Sequence, residues 1–418
     1  MCKNLDDTPD LKSKNDIISS LSDDIIDKIL VRLRLEEAIN TSLLARDWRY
    51  KWQTMSEVIV HYSHSFSNCE NFSAKIKRFL LLHKGNIQRF QFNGLGHHYE
   101  DVNIWLDHLD GAHLNHLELA MHKDSSIPLS VFSFEKMVTM NLKGYILFPT
   151  SFARFQVLTT LSFCFDKYEI GGYKKLEELI HLCPLLKHLK IGVPLSDWVP
   201  KISILKLNAP NLHTLIFFDR NGSLQIMNAP LITYATVYLR DLKHLLGLLN
   251  VVHLRIAVEF ASYSFSCLNC NKLTIQKIKF NFLKKLVILV NLNYLHQYEI
   301  ALCILINSPV LVSLIIQQSV RLTNMVDFPS IWPEHHSISF DFKHLKFFEM
   351  EIAFGSKWEM KIIGFVLGNT SLLEVSNFKW ASRSTLSIEE KTDIMNKLMS
   401  VKKASTSVEV KFAEIILK

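Results

Sequence analysis

From Ile87 onward the chain repeats one short figure of apolar and polar positions, apolar-x-x-apolar-x-apolar. It is carried by Ile87, Phe90 and Phe92, then by Leu114, Leu117 and Leu119, then by Leu158, Leu161 and Phe163. Further copies start at Met137, Leu186, Leu212, Leu283, Leu311 and Leu345, with weaker ones at Leu231 and Val251, so the steps between starts run from 19 to 34 residues. The alternation at the end of each copy predicts a short strand with one buried face. Pro stands just before the anchor region at Pro184, Pro210, Pro230 and Pro309. There it ends the return segment and sets a turn. Between two copies, Lys174 to Ile180 (KKLEELI) reads as a helical return.

The stretch from Asp16 to Thr54 follows a different period. Ser22 is placed to cap a helix, and Asp23 and Asp24 follow in the first turn, where they complement the helix dipole. Ile25, Ile26, Ile29, Leu30 and Leu33 then recur at helical spacing on a face wider than one contact needs. A second short helix is predicted from Leu35 to Leu44, with Ala38, Thr41, Ser42 and Leu44 as small or apolar positions. A third carries Trp48 and Trp52. A module this small can hardly bury its own core. Either it caps the following domain with the Trp pair as core, or a separate partner covers it.

The period of the body is that of a leucine-rich repeat, roughly 20–29 residues, with insertions in the late copies. One unit cannot bury its apolar edge alone, so units stack and their strands line one face. Eleven copies, several sharing the same Pro position, weigh against a mixed α/β domain with coincidental Leu spacing.

The N-terminal stretch resembles the F-box of plant F-box proteins with leucine-rich repeats. Its matches are Asp16, Ile18, Ser19 and Leu21, then Ile29, Leu30 and Leu33, then Ala38, Thr41, Ser42 and Leu44, and finally Trp48, Arg49 and Trp52. It departs from the family pattern at Ser22 and Arg34, where Pro is usual, and at Ala45, Arg46 and Asp47 in place of Ser-Lys-Arg. The resemblance implies docking on a Skp1-type adaptor through Leu21, Ile25, Ile29, Leu30, Leu33, Leu44, Trp48 and Trp52. It implies that loss of the first Leu-Pro pair weakens that docking while the helix survives.

His344 to Trp380 resembles the FBD region that follows the repeats in many plant F-box proteins. The shared features are His344, Leu345 and Lys346 at a strand, Gly355 at a turn, a helix with Glu359, and Asn369, Leu373 and Glu374. Read physically, this is one more strand-helix-strand unit closing the stack. Residues 381–418 read as an amphipathic helix and a final strand.

The expected architecture is therefore α/β. A small three-helix F-box spans 15–55, and a curved leucine-rich-repeat solenoid with a parallel sheet on its concave face spans 56–340. An FBD-like cap spans 341–418. The resemblance implies a non-catalytic substrate-recognition subunit of an SCF-type cullin-RING ubiquitin ligase, with an unknown target protein on the repeat face. The second reading is a free-standing binding scaffold with a degenerate F-box, its mildly basic surface taking RNA or another acidic partner.

Composition changes this picture little. Apolar residues are 48% and charged residues 21% of 418, enough for a large core. The net charge of +7 is mild for this length and does not by itself indicate nucleic-acid binding. Seven scattered Cys and a polar start point to a reducing compartment, cytosol or nucleus. No apolar stretch is long enough to span a bilayer, so no membrane partner is expected.

Nor does any motif call for catalysis, a cofactor or a metal. Gly94-Leu95-Gly96 lacks the third Gly of a dinucleotide loop and reads as a turn. Cys267 and Cys270 have no second pair to complete a zinc site. His113 and His116 flank a strand anchor and read as surface or edge positions.

Overall fold

The computed structural model describes residues 21–61, 69–94, 99–109, 113–122, 125–165, 172–193, 204–219, 223–239, 242–258, 278–319, 340–382 and 384–413. Asp16, Ile18, Ser19, Leu95, Gly96, Cys267 and Cys270 lie outside them. The chain divides into two compact units, Met1–Val157 and Leu158–Lys418. The division falls within the segment 56–340, between two of its strands.

The first unit begins with helices α1 (Asp23–Leu30) and α2 (Leu35–Asn40), then three 3-10 turns, Thr41–Leu43, Arg46–Trp48 and Lys51–Thr54. The expected second helix thus tightens into a 3-10 turn after Asn40. The Trp residues sit on two separate 3-10 turns rather than on one helix. Four parallel strands follow, β1 (Glu57–His61), β2 (Arg89–Asn93), β3 (His116–Ala120) and β4 (Thr139–Gly144). Helices α3 (Cys69–Leu82) and α4 (Tyr99–His108) and the 3-10 turn Leu129–Ser133 make the returns. Val58, Phe90, Leu117 and Met140 stand in register across these strands, and all are buried.

In the second unit ten parallel strands pair in one sheet. They are β5 (Thr160–Phe165), β6 (His188–Gly192), β8 (Thr214–Phe218), β10 (Tyr234–Leu239), β11 (His253–Val258), β12 (Lys285–Val290), β13 (Ser313–Gln318), β14 (Phe347–Ile352), β15 (Val375–Trp380) and β16 (Glu409–Ala413). Helices return the chain in some steps: α5 (Gly172–His181), α6 (Leu295–Ile306), α7 (Lys357–Gly368) and α8 (Ile388–Ser400). In two other steps a strand takes the helix's place. These strands, β7 (Ile204–Asn208) and β9 (Ser223–Asn228), pair with each other in a separate two-stranded sheet. The large parallel sheet with helical returns agrees with an α/β repeat architecture.

Two backbone devices recur and explain the regularity. At most strand starts, one carbonyl accepts the N–H groups of two consecutive residues in the next repeat. Ser56 O takes Gln88 and Arg89, Lys187 O takes His213 and Thr214, and Val312 O takes Lys346 and Phe347. Where it occurs, this slanted double bond locks a repeat to the one before it within the same unit. The second device is the turn ahead of the strand. Anchor N–H groups of Leu186, Leu212, Ile232 and Leu311 donate back to Cys183, Ala209, Ala229 and Ser308, across turns with Pro at the second position. That position suits the fixed φ of Pro. After helices, the residue opening the turn also closes the helix with its side chain. Cys183 Sγ donates to Leu179 O (3.1 Å), Ser308 Oγ to Ile304 O (2.7 Å) and Thr370 Oγ1 to Val366 O (2.6 Å).

The turn corrects one repeat start. Leu231 occupies the third turn position and is exposed, as Leu185 is; the buried anchor is Ile232. Pairing of Ala235 with Leu215 confirms that register. Ile232→Ala is expected to cost about 2–5 kcal/mol, the range for emptying a fully buried site. Leu231→Ala should change stability by under about 0.5 kcal/mol, as for an exposed surface position. Chemical denaturation of the two variants separates them.

The structure also adds copies at both ends. Met55, Val58 and Val60 form a buried copy ahead of Ile87. Leu373, Ser376 and Phe378 form one within the FBD-like region. There β14, Gly355, α7 and β15 make the expected strand-helix-strand unit, and Gly355 takes a positive φ of 62°. Residues 388–413 supply α8 and β16, with β16 parallel to β15.

Candidate docking surfaces

The N-terminal module is closed by its own chain. Ile26, Leu30, Leu35, Ala38, Trp48 and Trp52 are all buried. Trp52 packs on Phe79 of α3, ring centroids 5.5 Å apart, and its Nε1 donates to Arg49 O at 3.1 Å. The Asp27 carboxylate accepts Ser56 Oγ (2.8 Å) and Ser56 N (3.3 Å), tying α1 to the start of β1. Asp23 pairs with Lys51, and Lys75 of α3 lies 3.5 Å from Glu36 of α2. Gln53 O accepts the N–H groups of Lys84 and Gly85. A Cβ at Gly85 would sit 2.8 Å from Thr54 Cα, so only Gly allows this approach. His83 Nε2 bonds Met55 O at 2.9 Å, and burial holds the imidazole below its ordinary pKa.

Of the eight residues expected to face an adaptor, Leu30, Trp48 and Trp52 are instead buried in this core. For Trp52 the first repeat supplies part of that core, through Phe79 of α3. Ser22 takes the extended N-cap backbone, and its carbonyl accepts from Ile25 and Ile26, but its hydroxyl makes no capping bond. The cap expected from its side chain is absent at this position.

What remains outside is a separate set. Leu21, Ile25, Ile29 and Leu33 follow one another at a spacing of four, one stripe on α1 and its flanks. Ile25 and Ile29 are exposed, and Leu21 and Leu33 half-buried. On the 3-10 turn after α2 and at the residue closing it, Leu43 is 84% and Leu44 70% exposed, and Tyr50 also faces water. Leu43 and Tyr50 carry no pattern that sequence alone would single out. Single exposed apolar residues are ordinary, but five in one small module are not.

The second unit presents another surface, the open face of its sheet. Residues alternate with the buried ladder, so each strand shows its first, third and fifth positions. From β5 to β13 this face carries Lys190, Arg255 and Lys285, with His188 and His253, all exposed. Among the described residues it carries no carboxylate there. Phe218 and Tyr238 pack edge to face with centroids 5.3 Å apart, beside an exposed Tyr234. Arg255 Nη2 donates to Gln317 Oε1 at 2.7 Å. Acidic groups begin at β14. There Lys379 lies 2.7 Å from Glu349, and Glu351 accepts Gln318 N at 3.0 Å. Burial raises the Glu351 carboxyl above its usual range.

No group of three His, Cys, Asp or Glu side chains converges to hold a metal among the described residues. Burial pushes the Cys183 thiol up to about 12, which leaves it unreactive.

No family model matches the chain. It is similar to several proteins of Arabidopsis thaliana. One, named F-box/FBD/LRR-repeat protein, is 26% identical over 204 residues, 48% of this chain and 46% of its own length. A second of the same name is 29% identical over 224 residues, 51% of this chain and 52% of its own. A third, named FBD-associated F-box protein, is 27% identical over 299 residues, 58% and 67% respectively. The chain thus spans about half the length of the first two relatives.

Proposed function

Because this chain is similar to plant proteins named F-box/FBD/LRR-repeat protein, we propose that it belongs with them and is the substrate-recognition subunit of an SCF-type cullin-RING ubiquitin ligase. In this reading the N-terminal module docks on a Skp1-type adaptor, and through it on cullin and RING subunits. The repeat face holds a target protein. The observation that carries the reading is the exposed apolar set on a module whose core is already closed. Leu21, Ile25, Ile29, Leu33 and Leu44, with Leu43 and Tyr50, form the docking surface. Leu30, Trp48 and Trp52 hold that surface in place from beneath. The chain itself does no bond chemistry. It raises the effective concentration of a target lysine near the charged E2 enzyme. Such work belongs in the cytosol or nucleus.

The test is capture of the full chain by a purified Skp1-type adaptor, with affinity measured. Capture supports the reading. No capture would mean that Ser22 and Arg34 have removed the docking, and the chain would be a free-standing scaffold. A fragment of residues 1–60 should bind more weakly than the full chain. It lacks Phe79, Lys75 and the N–H groups of Lys84 and Gly85 that complete the module.

A further inference from the structure

We propose that the open face of strands β6 to β12 holds an acidic, extended protein segment whose carboxylates flank an aromatic or aliphatic side chain. This rests on the receptor reading and names the chemistry of its target. Lys190 on β6, Ile216 on β8, Thr236 on β10 and Arg255 on β11 stand in one row across the sheet. Beside them, Tyr234, His253 and Lys285 stand in a second row. Cations therefore lie at both sides of an apolar patch formed by Ile216, Phe218 and Tyr234.

Charge complementarity selects the partner. Three permanent cations and two His face water across this stretch, and among the described residues its own strands carry no carboxylate on this face; Glu351 of β14 acts on Arg255, at one side of the stretch, and leaves Lys190 and Lys285 unanswered. Where acidic groups do appear, from β14 on, Lys379 answers Glu349. The positive field is thus confined to β6 through β12, and a ligand with negative charge gains most there.

Spacing selects its form. Lys190 and Arg255 are three strand intervals apart, about 14 Å at the usual interstrand distance. An extended peptide rises about 3.3 Å per residue, so acidic side chains roughly four residues apart would meet both cations. The residues between them would lie over Ile216, Phe218 and Tyr234. Phe218 and Tyr234 offer large, stiff contact areas of the kind that anchors interfaces. A nucleic acid fits less well. Affinity for a phosphate backbone grows with the number of phosphates neutralised, and this face offers three permanent cations.

The experiment uses the full chain and fluorescence anisotropy. The probes are a labelled random Glu–Tyr copolymer, polyglutamate, a Lys–Tyr copolymer and oligouridylate. The Glu–Tyr copolymer should bind about tenfold or more tighter than the Lys–Tyr copolymer, and the preference should shrink between about 50 and about 300 mM salt. Polyglutamate should bind more weakly than Glu–Tyr, since it lacks the ring. The variant Lys190→Glu/Arg255→Glu/Lys285→Glu should lose roughly tenfold or more, and Lys357→Glu/Lys361→Glu on α7 should lose nothing. If circular dichroism shows the triple variant unfolded, Lys190→Gln/Lys285→Gln at the two exposed lysines replaces it, with a smaller loss expected.

Unchanged binding by a folded charge variant would overturn the proposal. So would tighter binding of oligouridylate than of the Glu–Tyr copolymer. Adaptor capture on the same preparations separates the two readings. Capture with no preference for the acidic copolymer overturns this inference and leaves the receptor reading standing. Copolymer preference without capture supports the acidic site and counts against the ligase.

Discussion

Ile25→Asp combined with Leu44→Asp should abolish capture by a Skp1-type adaptor, lowering affinity roughly a hundredfold or more, while the chain stays folded. Both side chains are exposed, so the folded state loses little apolar packing. At Ile25 an acidic residue even falls in the first turn of α1, beside Asp23 and Asp24, where the helix dipole favours it. A docking surface, by contrast, loses a buried apolar contact and gains a desolvated charge at each position. Trp48→Ala is the informative contrast. Trp48 is 2% exposed, and emptying its site should cost about 3–5 kcal/mol. Any loss of capture in that variant would accompany loss of helix signal in the module. Capture undiminished in the double Asp variant would remove α1 and the turn after α2 from the docking assignment.

Glu359→Ala should be the most damaging single substitution in the C-terminal repeats, at about 3–5 kcal/mol. Its carboxylate is fully buried and accepts three backbone donors, Ala353 N (2.9 Å), Ser356 N (2.9 Å) and Phe354 N (3.3 Å). In return Ser356 Oγ accepts Glu359 N at 3.2 Å and donates to Leu292 O at 2.6 Å. The pair is a capping box that also joins α7 to the preceding repeats. Removing the carboxylate strands three donors where water cannot reach them, at about 1–3 kcal/mol each before relaxation.

Glu359→Gln keeps one oxygen and should cost about half as much. Because repeats unfold locally, hydrogen exchange at the Ala353 and Ser356 amides is the direct readout. Protection unchanged in Glu359→Ala would show that the box is dispensable. Burial raises the Glu359 carboxyl above the usual range, and its backbone partners only partly offset this. A Glu with a raised folded pKa keeps its proton longer in the native state than in the unfolded one. Its contribution therefore falls as pH rises from the ordinary Glu value through the raised one. That slope should vanish in Glu359→Gln.

The strands were readable because their signal is local. Alternation at Leu189 and Ile191, or at Leu314 and Ile316, needs no knowledge of distant residues. The same holds for Pro at a turn. Ile232 was harder. Leu231 and Ile232 are both apolar, and only the pairing of Ala235 with Leu215 decides which one turns inward. Ser376 stands in the buried ladder between Phe348 and Val410, with its hydroxyl unbonded among the described residues. No sequence rule would place a Ser there.

Strands β7 and β9, which the sequence pattern did not single out, escaped notice for a similar reason. Each covers its face by pairing with the other, a partnership 19 residues apart that periodicity does not register.

The sequence by itself determined the repeat, most of its strand positions, its Pro turns and the presence of a short helical stretch ahead of it. All of these follow from side-chain period and backbone conformation over a few residues. Only the tertiary structure decided which apolar residues of that module face water. Leu30, Trp48 and Trp52 share the composition and spacing of a docking surface, but folding buries all three, Trp52 against Phe79 of α3. The same holds for the open face, where Lys190 and Arg255 are 65 residues apart in the chain and share one row. Burial and charge fields depend on what folding brings alongside, and that information is not held within any one stretch of chain.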